Sequence, residues 1–404
     1  MTDIYCHIHT PINIEEKNKY FIPPIIFEGR LYIIREKILH DVLQKISYLQ
    51  DYIKFSREDR YENTLKWLSK KNLLNEGFLE GISQYWIEDV FLPQVSNYKA
   101  FQKNGKNQPI IPENYLKDIF RIANIYSYIK KQKNRFNEYV ENELDIIENE
   151  LCFINNEKSL KTRQIHYQNG IFELLLNNFN TKIASPVDLK AHEINNINFS
   201  CETLLSSNDL FVFKTAGVKD YKFNLTGTSY KECLRENTFV KLFAGLSSGN
   251  KDEVYLKYIL EEAIMHSQLF TNDLIDFGVG YLKYIIGFEE KIKSNNDKKQ
   301  LQIAEKAESS SIVLLENSRN TAIETKEHIV SRYDYLKNYT NVYFAPDSEM
   351  IKLINVLNMD EQNLKRLNDL IWGRQNQLES ELLKFMFNKG NLPYSAYGYA
   401  SINF

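Results

Sequence analysis

Between Glu113 and Asn155 an apolar side chain recurs every three or four residues, through Ile119, Ile122, Tyr126, Ile129, Phe136, Val140, Leu144, Ile147, Leu151 and Ile154. No other stretch limits the fold as much. A repeat near 3.5 residues keeps one narrow seam on one side of an α-helix, which suits a rod lying along another rod. Lys133 is the one interruption, and Glu138, Glu141, Glu143, Glu148 and Glu150 crowd the flanks. A second seam, near Leu301, Ala304, Ser311, Leu315, Ser318, Ala322, Ile329 and Leu336, predicts a long helix over 300–340 whose small residues admit a close neighbour. A third stripe, Leu31, Ile34, Ile38, Val42, Ile46, Leu49 and Ile53, predicts a helix of about 28 residues.

These patterns predict a mainly α fold in which long helices form an elongated bundle or a coiled-coil-like core. A content of 15 Gly and 9 Pro in 404 residues agrees with long helices. Residues 1–27 read as an extended N-terminal arm with a strand over Asp3–Thr10, because Pro11, Pro23 and Pro24 fix φ and remove donors. Residues 28–182 read as an N-terminal helical domain that includes the long helix 113–155. Over 183–250 the texture changes: Gly217, Gly227, Gly245 and Ser247-Ser248-Gly249 punctuate short apolar runs, and Leu210–Lys214 and Tyr221–Leu225 are strand-like. That stretch reads as a small β-containing insertion. A C-terminal helical domain follows over 251–390 with the long helix 300–340, and 391–404 is an aromatic tail.

The balance of 43% hydrophobic residues and a net charge of −3 excludes a disordered chain. The pI near 6.2 shows no basic footprint, so nucleic acid is not an expected partner. No window reaches the roughly 18 apolar residues of a membrane span, so a membrane is not expected either. The opening residues lack a basic segment and an apolar core, and no secretory signal is expected. Cys6, Cys152, Cys201 and Cys233 are scattered, as free thiols of a reducing cytoplasm would be.

His7-Ile-His9 is the sharpest chemical feature. Alternation along a strand places both imidazoles on one face, where they make candidate metal ligands. The segment Asp3-Ile-Tyr-Cys-His-Ile-His-Thr10 resembles the opening strand of amidohydrolase and PHP-type metalloenzymes. Those families continue with alternating strands and helices and supply later His and Asp ligands. Here long helices follow, and His40, His166, His192, His266 and His328 match no such motif. Glu262 and His266, like Glu324 and His328, sit four apart on predicted helices, a spacing that a solvated hydrogen bond explains. Gly-Leu-Ser-Ser-Gly at 245–249 lacks the Gly-Lys-[Ser/Thr] ending of a phosphate loop.

No catalytic residue is assigned from the sequence, no cofactor is expected, and the balance is against an enzyme. The leading expectation is a cytoplasmic structural or adaptor subunit of a larger protein assembly. It would bind other protein subunits, as a self- or hetero-oligomer, through the long helices, the arm, and Tyr394, Tyr397, Tyr399 and Phe404 of the tail. One alternative is a helical metal- or haem-dependent enzyme using some of the histidines. The other is an α-helical pore-forming or membrane-active protein with its weakly apolar hairpin near Phe277–Phe288.

Overall fold

The structure, a computed structural model, describes residues 2–15, 22, 24–59, 64–87, 97–104, 108–184, 191–201, 203, 205–206, 209–219, 224–247, 252–294, 331, 333–372, 387–388, 395–396 and 398–404. The predicted helix over 300–340 falls largely outside the described residues, as do Tyr394 and Tyr397; only 331 and 333–340 of that span are described.

In chain order the first half holds β1 (Thr2–Ile8), β2 (Ile25–Phe27), β3 (Arg30–Ile34), α1 (Glu36–Lys45), α2 (Leu49–Asp59), α3 (Thr64–Lys70), α4 (Glu76–Ile82), β4 (Ser83–Ile87) and β5 (Asn97–Lys99). Then come α5 (Glu113–Lys131), α6 (Lys133–Cys152), α7 (Glu157–Lys182), α8 (Ala191–Asn195), β6 (Ile197–Cys201), β7 (Leu210–Lys219), β8 (Asn224–Leu234) and β9 (Phe239–Leu246). The chain closes with α9 (Glu253–Ser294), β10 (Val342–Tyr343), α10 (Asp347–Asn358), α11 (Glu361–Trp372), β11 (Phe387–Asn388), β12 (Ser395–Ala396) and β13 (Tyr399–Asn403). Two compact units result: Met1–Ile14, Asn104–Phe211 and Cys233–Phe404 form the first, and Glu15–Lys103 with Val212–Glu232 the second.

The first unit is built on a five-stranded antiparallel sheet in the order β10-β13-β1-β9-β6. This corrects the expected mainly α bundle with a small β insertion and a coiled-coil core. The predicted arm supplies the central strand, the predicted tail its neighbour, and the predicted insertion two more. Strand alternation explains why. Ile4, Cys6 and Ile8 of β1, Val240, Leu242 and Ala244 of β9, Ile197 and Phe199 of β6, and Ala400 and Ile402 of β13 are all buried. A strand with one apolar face gains nothing until that face is covered, so segments far apart in sequence pair over one helical layer.

Helices α5 and α9 form that layer. The Phe120 ring of α5 lies 6.0 Å from Phe199 of β6. Between the helices, Tyr126 meets Phe270 edge-on at 4.9 Å, and the Tyr126 hydroxyl donates to Asp273 at 2.5 Å. Burial beside that carboxylate holds the phenol far above its ordinary pKa. The seam that predicts a single helix over 113–155 is broken at Gln132, next to its one gap at Lys133. Before the break Leu116, Phe120, Ala123 and Ile125 are buried beside the seam residues, so α5 is covered over more than a coiled-coil stripe. After it α6 buries a narrower set, with Phe136 packed edge-on against Phe179 of α7 at 5.2 Å.

The second unit packs α1 to α4 against the sheet β2-β3-β4, around Tyr32, Leu39, Leu43, Tyr52, Trp67, Leu68 and Leu79. The third apolar stripe is therefore not one helix. Leu31–Ile34 lie in β3, and Ser47, at φ 62, separates α1 from α2. Glu28 and Gly29, both at positive φ, make the two-residue turn that β2 and β3 need to twist together. Also in this unit, Glu232 is fully buried, accepts from the Phe101 amide at 3.0 Å and pairs with Lys103 at 3.0 Å.

Burial also sorts the thiols. Cys6, on the covered face of the sheet, has its pKa pushed up to about 12 by burial and by nearby Cys201. Cys152 at the end of α6 is exposed. Alkylation of the native protein with iodoacetamide at pH 8 is expected to label Cys152 and leave Cys6 and Cys233 unmodified, as read by peptide mass spectrometry. Early labelling of Cys6 would mean that β1 is not seated.

Candidate nucleic-acid interface on the open sheet face

The second face of the central strands carries a different set of side chains. Register sets it: Asp3, Tyr5 and His7 of β1 stand directly beside Phe243, Lys241 and Phe239 of β9. Because the side-chain period is two, all six share the face opposite Ile4, Cys6 and Ile8. Phe239 is 67% exposed and Tyr5 54%, values that aromatic side chains reach only where nothing covers them. Lys241 lies between the rings, its Nζ 6.0 Å from the Tyr5 centroid and 5.0 Å from that of Phe243, and it pairs with Asp3 at 3.2 Å.

Tyr5 stands opposite Lys241, two residues from Phe239 and two from Phe243 along β9. The rings therefore step along the strand direction by about 7 Å each. A single-stranded nucleic acid with unstacked bases advances by a comparable step, and sheets in common RNA-binding modules seat two or three bases on such rings. Ring faces accept any base, and each stack contributes about 1–3 kcal/mol.

His7 and His9, the candidate metal ligands, do share a face. Their centroids are 4.2 Å apart, and His7 stacks on Phe239 at 4.1 Å with 10° between the planes. His9 Nε2 is within 3.0 Å of Ser401 Oγ, and the His7 Nε2 atom is buried without a hydrogen-bond partner. Burial, and next the neighbouring His7, lower the pKa of His9, so its ring is neutral at pH 7. Among the described residues no group of three His, Cys, Asp or Glu side chains is placed to hold a metal ion. The pair lies within a line of rings, with Tyr335 6.1 Å beyond His9.

Of the tail residues proposed as partner anchors, Tyr399 is buried in β13 with its ring 5.2 Å from Tyr343, and burial pushes its phenol far up. Phe404 is at the surface, with Lys257 Nζ 5.8 Å from its centroid. Within the arm and the tail, Thr2–Ile8 and Tyr399–Asn403 are paired strands of the sheet. Sequence reasoning missed Phe239, Lys241 and Phe243, whose only signal was the alternation in Phe-Val-Lys-Leu-Phe-Ala-Gly-Leu.

No family model and no curated protein matches the chain. Among solved structures the chain is similar to the crystal structure of T. onnurineus Csm5, at 11% identity over 98% of this chain and 99% of that one, with a TM-score of 0.40. It is also similar to a chain in the cryo-EM structure of a Csm-crRNA-target RNA ternary complex of a type III-A CRISPR-Cas system, at 12% identity over the full length of both, with a TM-score of 0.41. The expectation against a nucleic-acid partner is corrected here: the second structure is a complex with crRNA and target RNA. A pI averaged over the whole chain has no power to exclude a local nucleic-acid face. Among the described residues no helix is long and apolar enough to cross a membrane.

Proposed function

We propose that this chain is a subunit of a larger assembly and holds a single-stranded nucleic acid against the open face of its five-stranded sheet. The observation that carries the reading is the row Phe239, Tyr5 and Phe243 at strand spacing, the first two exposed and Phe243 half-buried, with Lys241 between the rings. Exposed apolar side chains of the same unit, among them Ile146, Phe153, Ile165, Val254 and Met265, are available for contacts within such an assembly. The Csm complex described above holds crRNA and target RNA; the proposal for this chain rests on its own sheet face.

The chemistry of that face sets the character of binding. Lys241 is the one lysine among the described residues of that face and is already paired with Asp3, so few counterions leave on binding and stacking supplies most of the affinity. Fluorescence anisotropy with labelled 12-mers of oligo(U) and oligo(dT) tests this. The wild-type chain is expected to bind with a log–log salt slope of about −1 or shallower. The Tyr5→Ala/Phe239→Ala double variant is expected to bind at least about 30-fold more weakly, from the loss of two stacked bases. Both side chains are exposed, so circular dichroism should show an unchanged fold. Unchanged binding by the double variant would remove the proposal, and so would a steep salt slope of the kind a basic groove gives.

A further inference from the structure

The ring surface does not stop at the sheet. Phe239 stacks on His7, His7 meets His9 at 4.2 Å, His9 meets Tyr335 at 6.1 Å, and Tyr335 meets Tyr339 at 4.5 Å. The last two belong to the helical segment 333–339, where a spacing of four residues puts them on one side of the helix. Both are exposed, Tyr335 at 48% and Tyr339 at 58%. Five rings thus form one continuous line, open to solvent at both ends and half-buried in the middle.

We infer that a bound single strand leaves the sheet at His9 and continues onto Tyr335 and Tyr339, which form a second stacking subsite of the same nucleic-acid track. This inference rests on the proposed function and extends it by naming the path and the footprint of the ligand.

Three observations support the path. First, the imidazoles are poor places for a strand to end. The His9 ring is held by Ser401 and lies between the His7 and Tyr335 rings, so it carries the ring surface from the sheet towards the helical segment. Secondly, the outward residues of β1 run Asp3, Tyr5 and His7, and His9 just past its end continues the row to Tyr335 of the 333–339 segment. Thirdly, Lys337, the cation nearest the two tyrosines in sequence, is held by both carboxylate oxygens of Asp276 at 2.6 and 2.7 Å. The tyrosine pair therefore acts by its ring faces, the same sequence-tolerant chemistry as the platform on the sheet. A partner protein recognised by these tyrosines would show no dependence on oligonucleotide length, which the experiment below reads directly.

The test is a length series on the full chain, using labelled oligo(U) and oligo(dT) of 4, 6, 8 and 12 nucleotides. Affinity is expected to rise with length beyond the short oligomers that the sheet platform alone can seat. The Tyr335→Ala/Tyr339→Ala variant is expected to bind the 4-mer as wild type does and to lose about tenfold on the 12-mer. Equal 12-mer binding by this variant and wild type would overturn the inference, while the loss in Tyr5→Ala/Phe239→Ala would leave the proposed function standing. The reverse pattern, loss only in the tyrosine variant, would keep the subsite and remove the sheet platform. A wild-type chain that binds no oligomer overturns both. Either base series giving the length effect supports the path, and a difference between oligo(U) and oligo(dU) of the same length tells whether the 2′-hydroxyl is read.

Discussion

A chain lacking residues 1–9 is expected to lose cooperative folding of the first unit altogether. Strand β1 is flanked on both sides, pairing with β9 from Thr2 to His7 and with β13 from Tyr5 to Ile8. Removing it strips Ile4, Cys6 and Ile8 from the core, at about 1.5–3 kcal/mol for each large apolar side chain. It also leaves two unpaired strand edges facing each other across a gap, each a row of unmet backbone donors and acceptors. The combined loss is of the order of the whole stability of a domain, about 5–15 kcal/mol. Thermal unfolding followed by far-ultraviolet circular dichroism, with dye binding as a probe of exposed apolar surface, reads the result. A gentler variant guards against ambiguity: Ile4→Ala leaves the strand paired and should cost about 2–4 kcal/mol as a cavity. A truncated chain that melts within a few degrees of wild type would mean that β1 is a dispensable arm after all.

How much of this was legible in the residues differs between links of the chain. The strand expected over Asp3–Thr10 was in the main, as Thr2–Ile8, because Ile4, Cys6 and Ile8 alternate with polar side chains. Its place at the centre of a sheet was not, since the partners that complete it lie at 239–246 and 399–403 and no local pattern records such pairings. Leu31–Ile34 illustrates a second limit. Four consecutive apolar residues fit a helical stripe as well as a buried strand, and only the Glu28-Gly29 turn before them tips the balance towards a hairpin. The tail failed for composition: Tyr-Ala-Ser-Ile-Asn reads as a soft aromatic end, yet Tyr399, Ala400 and Ile402 are core. The candidate site was half visible. The spacing of His7 and His9 correctly put both rings on one face, but two imidazoles at that spacing suggest ligands for an ion. Phe239, which stacks on His7, becomes visible as a neighbour only once the register of β1 on β9 is known.

Gly398→Ala is expected to destabilise the first unit by about 3 kcal/mol, well beyond the usual effect of a single methyl group. Two separate demands meet at this residue. Its φ of +87 lies where a side chain is strained, and a Cβ there would come within 2.7 Å of the Phe344 carbonyl oxygen and 2.9 Å of the Tyr343 ring. The backbone has no room to retreat. Gly398 accepts from the Phe344 amide at 2.6 Å and donates to the Pro11 carbonyl at 2.9 Å, so a shift breaks one bond or the other and pulls β13 away from β10. Gly29→Ala separates the two demands, because that glycine has a similar φ of +80 with no atom within 4 Å of the added Cβ. There only the conformational term remains, at about 1 kcal/mol. Chemical denaturation of both variants, read separately for the two units, should therefore show a clear difference in midpoint. Equal losses at the two positions would mean that the turn before β13 yields to the extra carbon, and that the seating of the last strand is looser than its hydrogen bonds imply.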